Sequence, residues 1–158
     1  MPGMLVRKAV LSDVEAIHAL LEHYADEGVV LRRDRQDITE RLGNFYVAEA
    51  DGRFLGCGAA RHFGGGLYEV RSLAVDPAAQ GGGVGRALVE KMIQTLRQSP
   101  EPWRLFTLTT TPAFFEKLGF RTVAIDCFPE KIWSDCRLCP KRDRCDEIPL
   151  IYEEARDV

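Results

Sequence analysis

Much is missing from this chain, and each absence narrows what it can be. No apolar run approaches the ~20 residues needed to span a membrane, and the N-terminus lacks the apolar stretch of a signal peptide; a cytoplasmic protein is expected. No charge of one sign dominates. Lys and Arg number 21 against 24 Asp and Glu, a net charge of −3, and the charges are well mixed, so no basic stripe marks a nucleic-acid partner. No internal repeat or low-complexity segment interrupts the 158 residues, a length that suits one domain with a core of ordinary size. The five cysteines are an odd number without secretory context, which suits a reducing compartment better than a disulfide framework.

What is present reads as alternating strands and helices. Val6–Val10 is a short apolar strand. Ser12 and Glu15 have capping-box spacing, and Val14, Ile17, Leu20, Leu21 and Tyr24 then recur at helical intervals. His18 and His23 lie off that stripe, on the solvated side. Asp34 can cap a shorter helix carrying Ile38 and Leu42. Residues 45–50 and 53–61 flank Asp51-Gly52, a pair that accepts the positive φ of a tight hairpin turn. Further strands are expected over 67–75, 104–110 and 120–125. A helix follows the glycines of 81–85, and a short one starts at Pro112 and stops at Gly119. Such an order predicts a mixed α/β fold around one central sheet.

The most informative stretch runs from Glu69 to Arg86. An apolar strand stops at Asp76-Pro77, and a loop with Gly81, Gly82, Gly83 and Gly85 precedes a helical pattern of Leu88, Met92, Ile93 and Leu96. Glycines let backbone N–H groups close around an anion, and a helix start adds unpaired N–H groups and partial positive charge. The nucleotide P-loop spacing fails, because Arg86 stands where its second glycine belongs. The dinucleotide pattern fails as well, from Gly81 at Arg86 and from Gly83 at Leu88. The pattern that fits is Q-x-x-G-x-G, from Gln80 through Gly83 to Gly85.

With the preceding Leu73-Ala-Val-Asp-Pro77, this motif resembles the acetyl-CoA signature of the GCN5-related N-acetyltransferase (GNAT) superfamily. Phe114-Phe-Glu-Lys-Leu-Gly-Phe120 is similar to its second signature, a short helix running into Gly-Phe. Beyond these, Val29-Val-Leu-Arg-Arg33, Leu108-Thr-Thr110, Ile125-Asp-Cys-Phe-Pro-Glu-Lys131 and the tail through Cys145-Asp-Glu147 resemble the short, single-domain N-acetylglutamate synthases of arginine biosynthesis. That resemblance implies an N-acetyltransferase domain over residues 1–125, with a Cys-containing tail, 126–158, completing the same domain. The implied fold is a mixed central sheet flanked by helices. The implied substrates are acetyl-CoA and L-glutamate, with no membrane or nucleic-acid partner, and a homodimer is admissible. Departures exist: the loop begins with Gln80 where many relatives have arginine, and Thr111 follows Thr110 where some long-form members have a basic residue.

Acetyl transfer from a thioester to an α-amine needs a base, an oxyanion site and, for glutamate, cations for two carboxylates. Glu69, at the start of the strand feeding the loop, is the candidate base, directly or through a water; an ordinary strand carboxylate is the alternative. Backbone N–H groups near Leu73, Ala74 and Val75 are the candidate oxyanion donors. Gln80, Gly81, Gly82, Gly83, Val84, Gly85 and Arg86 are expected to hold the pyrophosphate. Tyr152 is a candidate proton donor to the thiolate, with plain packing as its competing role. Arg32, Arg33, Arg71 and Lys131 match the substrate region of the resembled family, and guanidinium suits a carboxylate because its planar fork grips both oxygens.

Cys136, Cys139 and Cys145 have spacing that could hold a structural metal, with Cys127 or His62 as a fourth ligand. Reduced cysteines that pack the tail are favoured over a metal site or a disulfide. Cys57 falls in a strand and is assigned to the core. Two functions compete with glutamate acetylation: the same transfer to another small amine or a protein N-terminus, and a non-catalytic acetyl-CoA-binding regulatory module. A polyamine site would be acidic, whereas the candidate substrate residues are basic.

Overall fold

A computed structural model describes residues 3–28, 30, 32–124 and 147–154 of the chain. Lys131, Cys127, Cys136, Cys139 and Cys145 lie outside the described residues, and so does most of the expected tail. The elements in order are β1 (Met4–Lys8), α1 (Val14–Asp26), α2 (Arg35–Glu40), β2 (Phe45–Ala50), β3 (Arg53–Gly64), β4 (Leu67–Val75), α3 (Val84–Arg97), β5 (Arg104–Thr109), α4 (Pro112–Glu116), β6 (Arg121–Thr122) and β7 (Ile148–Tyr152). The strands form a mixed sheet in the order β1-β2-β3-β4-β5-β7-β6. The β4–β5 pair is parallel, and β1–β2, β2–β3, β5–β7 and β6–β7 are antiparallel.

Two compact units share the chain, Met1–Ala60 with Val70–Gln98 and Arg61–Glu69 with Ser99–Val158, so that β3 and β4 each run through both. In the first unit the expected stripe of α1 is realised: Val14, Ile17, Leu20 and Leu21 are buried beside Ile38, Phe45, Val47 and Cys57, with Tyr24 packed at the margin. On α3, Val84, Leu88, Val89, Met92, Ile93 and Leu96 are buried. Full burial of each large aliphatic side chain stabilises by roughly 1.5–3 kcal/mol, which favours the helix over the unfolded chain more than propensity does. In the second unit Leu67, Phe106 and Ile151 are buried together, with Phe63, Leu108 and Val123 against them.

The hairpin turn, the cap of α2 and the end of the Pro112 helix are built as their residues suggest. Asp51 and Gly52 have φ of 53° and 76°. The Asp37 N–H donates to Asp34 Oδ1 at 2.8 Å. Gly119, at φ 98°, follows the helix that Pro112 opens.

Two expectations are corrected. Ser12 does not cap α1, because Leu11–Asp13 forms its own helical turn and Asp13 precedes Val14. Asp13 instead accepts the Val10 N–H at 2.7 Å and takes a two-pronged ion pair from Arg7 at 2.7 and 3.0 Å. A charged partner on β1 outcompetes the local hydroxyl cap. Among the described residues, the strand expected over 120–125 is confined to Arg121–Thr122, and the last strand is β7, which sits between β5 and β6.

Candidate active site

The strand–loop–helix read from the sequence is built through local bonds. At the end of β4 the Asp76 N–H donates to Leu55 O at 2.8 Å, and the Asp76 carboxylate takes the Ala78 N–H at 2.9 Å. Pro77 opens a single turn that ends at Ala79, and Gln80 returns to an extended conformation. Gly81 and Gly83 then adopt φ of 83° and 82°, left-handed values that glycine reaches without strain. A Cβ placed on either would meet no atom of the described residues within 4 Å, so among these residues the space over the loop is open. Gly83 is the N-cap of α3, which begins at Val84. The N–H groups of Val84, Gly85 and Arg86 therefore have no carbonyl one turn back inside the helix. The exposed Arg86 guanidinium is bonded to Glu90 at 2.8 Å, along the helix.

Strand β4 has a kink that no glycine announces. Ser72 has φ of 53°, a left-handed value in mid-strand. Two neighbours hold it: the Cys57 thiol donates to Ser72 O at 3.6 Å, and Arg33 Nη1 donates to Ser72 Oγ at 3.2 Å. Cys57 is fully buried, and loss of solvation pushes its thiol up to about 12, so it is a packing group and not a nucleophile. Beside it, β3 approaches β4 so closely that a Cβ on Gly56 would lie 2.7 Å from Ala74 O. Leu73, Ala74 and Val75 follow the kink.

Glu69 is 3% exposed, among the few buried charged side chains described. The ladder between β4 and β5 pairs Leu67, Tyr68 and Glu69 with Arg104, Leu105 and Phe106, and closes at Glu69. Glu69, Arg71, Leu73, Ala74 and Val75 thus come from one strand, with Arg71 half-buried beside the kink. Arg33 is nearly buried, stacks over the Phe45 ring at 5.1 Å and donates to Asp37 at 2.7 Å. The Arg33 hydrogen bond, with Arg41 adding to it, holds the Asp37 carboxyl below its ordinary range. Arg32 is exposed and bonded to Glu22 and, at 2.5 Å, to Asp26. In the second unit, the Tyr152 ring stacks on Trp103 and packs on Phe120, and its hydroxyl donates to Glu154 at 2.7 Å.

Two residues here are not marked by the sequence. Ser72 carries no signal, since serine rarely takes positive φ. Tyr24 fits the apolar stripe of α1 by its spacing, yet its hydroxyl reaches Val75 and Gln80.

A glycine loop with open helix-start N–H groups at a strand-to-helix junction can accept a phosphate-bearing group. Comparison with known proteins agrees. The model of the acetyltransferase (GNAT) domain matches residues 41–122, and the chain belongs to this family, whose reaction class is N-acetyl transfer. An uncharacterized N-acetyltransferase of Chlorobaculum tepidum is 40% identical over 146 residues, 92% of this chain and 94% of that one. An amino-acid acetyltransferase of Mycobacterium tuberculosis is 37% identical over 122 residues, 75% of this chain and 69% of its own. Among solved structures, N-acetylglutamate synthase from Neisseria gonorrhoeae, complexed with coenzyme A and N-acetyl-glutamate, superposes with a TM-score of 0.85 at 31% identity, covering 97% of this chain. The chain spans 35% of that synthase. Among the described residues, no helix is long and apolar enough to cross a membrane.

Proposed function

We propose that the protein is an acetyl-CoA:L-glutamate N-acetyltransferase that transfers acetyl directly, in a ternary complex, at the entry to arginine synthesis. The observation that carries this reading is the glycine loop, Gln80–Arg86, at the end of a strand that also holds a buried carboxylate, in a chain that over 97% of its length is similar to part of an N-acetylglutamate synthase.

The acetyl-CoA pyrophosphate rests on the backbone N–H groups from Gly81 to Arg86, where positive helix-end potential favours it. Glu69 takes a proton from the α-ammonium of glutamate, directly or through a water. The freed nitrogen bonds to the acetyl carbon, and the carbon–sulfur bond breaks. Backbone N–H groups of Leu73, Ala74 and Val75 receive the carbonyl oxygen as it gains charge, a role for which donors held in place need no reorganisation. As the amide forms the nitrogen releases its second proton, and Tyr152 gives its own proton to the departing thiolate and regains one from that release.

For the substrate carboxylates the cations are Arg33, Arg32, Arg71 and Lys131. Arg33 is the best supported, because its guanidinium is held at Ser72 on the strand that carries Glu69. Arg32 has to exchange Glu22 and Asp26 for a substrate carboxylate.

The test compares kcat/KM for glutamate and glutamine in an assay of coenzyme A release, with the other amino acids alongside. A cation facing the side-chain carboxylate is left unpaired by glutamine, at a cost of roughly 2–5 kcal/mol, so glutamine is expected to be a markedly poorer substrate. Equal rates for the two would remove glutamate and leave N-acetyl transfer to another amine.

A further inference from the structure

We infer that Tyr24 is a positioning residue for the cosubstrate loop, a tether that closes the connection between β4 and the glycines before any ligand arrives. This rests on the reading that acetyl-CoA binds at Gln80–Arg86, and it adds a residue from a different helix to that site.

Tyr24 lies in the last turn of α1, half-buried at the margin of the core. Its hydroxyl donates to Val75 O at 2.6 Å and accepts from Gln80 Nε2 at 2.5 Å. The hydrogen inventory fixes these directions. A carbonyl oxygen can only accept, so the single hydroxyl proton goes to Val75, and Gln80 must turn its amide nitrogen, not its oxygen, toward Tyr24.

The two residues joined are the last of β4 and the first of the Q-x-x-G-x-G motif. Between them, Asp76 closes the Pro77 turn with two bonds of its own, Ala78 N–H to its carboxylate at 2.9 Å and Ala79 N–H to its carbonyl at 2.8 Å. One side chain therefore pins both ends of a turn that is already internally closed. Gln80 is exposed, and without a partner its side chain would be free in solvent.

The purpose of such a tether follows from what comes next. Gly81 and Gly83 sit at positive φ with open space above them, and glycines give up the most conformational freedom on ordering. Fixing Gln80 sets where the loop departs and removes part of that entropic cost from the binding step, which is how preorganisation raises affinity. Arg86, at the other end of the motif, is bonded along its own helix to Glu90 and adds no such restraint. The tether thus acts on cosubstrate binding and not on the chemical step.

Tyr24→Phe removes only the hydroxyl, and Gln80→Met removes only the amide donor from an exposed side chain. Each is expected to raise the coenzyme A dissociation constant in calorimetry, and KM for acetyl-CoA, by about three- to ten-fold, the span of one hydrogen bond. The kcat and the KM for the amine should hold within about two-fold, a split that general destabilisation would not produce. The double variant should be no weaker than either single one, because both changes cut the same tether. Wild-type affinity in both single variants, or losses that multiply in the double variant, would each overturn the inference while leaving the cosubstrate reading intact. Wild-type protein that binds no coenzyme A would instead overturn the cosubstrate reading and the tether with it. Because Gln80 is exposed, its variant keeps the test open even if Tyr24→Phe fails to fold.

Discussion

Replacing Gly83 with valine separates two consequences that the loop geometry keeps distinct. Gly83 caps α3 at φ 82°, where an L-residue is strained by roughly 1–2 kcal/mol. Contacts with the described residues add nothing to this, since none has an atom within 4 Å of a Cβ there. The unliganded protein should therefore lose about 1–2 kcal/mol, or about 2–8 °C in Tm for a chain of this size. Acetyl-CoA should suffer far more. The new side chain stands in the space over the helix N-terminus, and each charge-assisted hydrogen bond lost from the pyrophosphate is worth about 1.5–3 kcal/mol, so the dissociation constant should rise about 10- to 100-fold or beyond. Calorimetry with acetyl-CoA and thermal melting without it measure the two effects separately. Gly83→Asn serves as the control, because asparagine tolerates the left-handed conformation yet still places a side chain in that space. It should melt close to wild type and bind weakly. Full acetyl-CoA affinity in either variant would refute the placement of the cradle.

Two further outcomes are expected. Glu69→Gln should lower kcat by at least ~10-fold, the low side of what a positioned base supplies, while leaving acetyl-CoA affinity unchanged; a wild-type rate and pH profile would remove Glu69 from the mechanism. Asp13 is held below the ordinary carboxyl range, first by its hydrogen bonds from Arg7, with the Val10 N–H also contributing. Because the folded value is the depressed one, its contribution is fully present above the ordinary carboxyl range near pH 4 and is lost as the pH falls through the folded value. Asp13→Asn should cost about 2 kcal/mol at neutral pH and flatten the acid limb of a Tm-against-pH curve; a limb of unchanged steepness would show that other carboxylates govern it.

Where local structure was legible in the sequence, the cause was local. Gly81, Gly83 and the start of α3 are read directly because positive φ and a helix N-terminus are properties of a few consecutive residues. The same holds for Asp51-Gly52, for Asp34 capping α2 and for Pro112 opening α4, each of which satisfies a backbone requirement within three or four positions. The apolar stripe of α1 needed only the 3.6-residue period, and Cys57 in the core needed only its place in a strand.

Partners brought from a distance were not legible. Asp13 turns to Arg7 and Val10, so Ser12 loses the cap that spacing alone assigns to it. Strand β7 carries Pro149, a residue that argues against an inner strand, yet its carbonyl still accepts the Val123 N–H at 3.0 Å and the strand fits between β5 and β6. Arg33 and Cys57 converge on Ser72 from α2's approach and from β3, and hold a backbone conformation that serine would not choose unaided. The hydroxyl of Tyr24 meets Gln80 across 56 residues of sequence. Glycine placement, helix period and capping residues act through their own backbone, so the sequence alone determines the conformation of the glycine loop and the start of α3. Which charges are already paired, where β4 kinks and what tethers the loop depend on contacts between remote segments, and only the tertiary structure decides those.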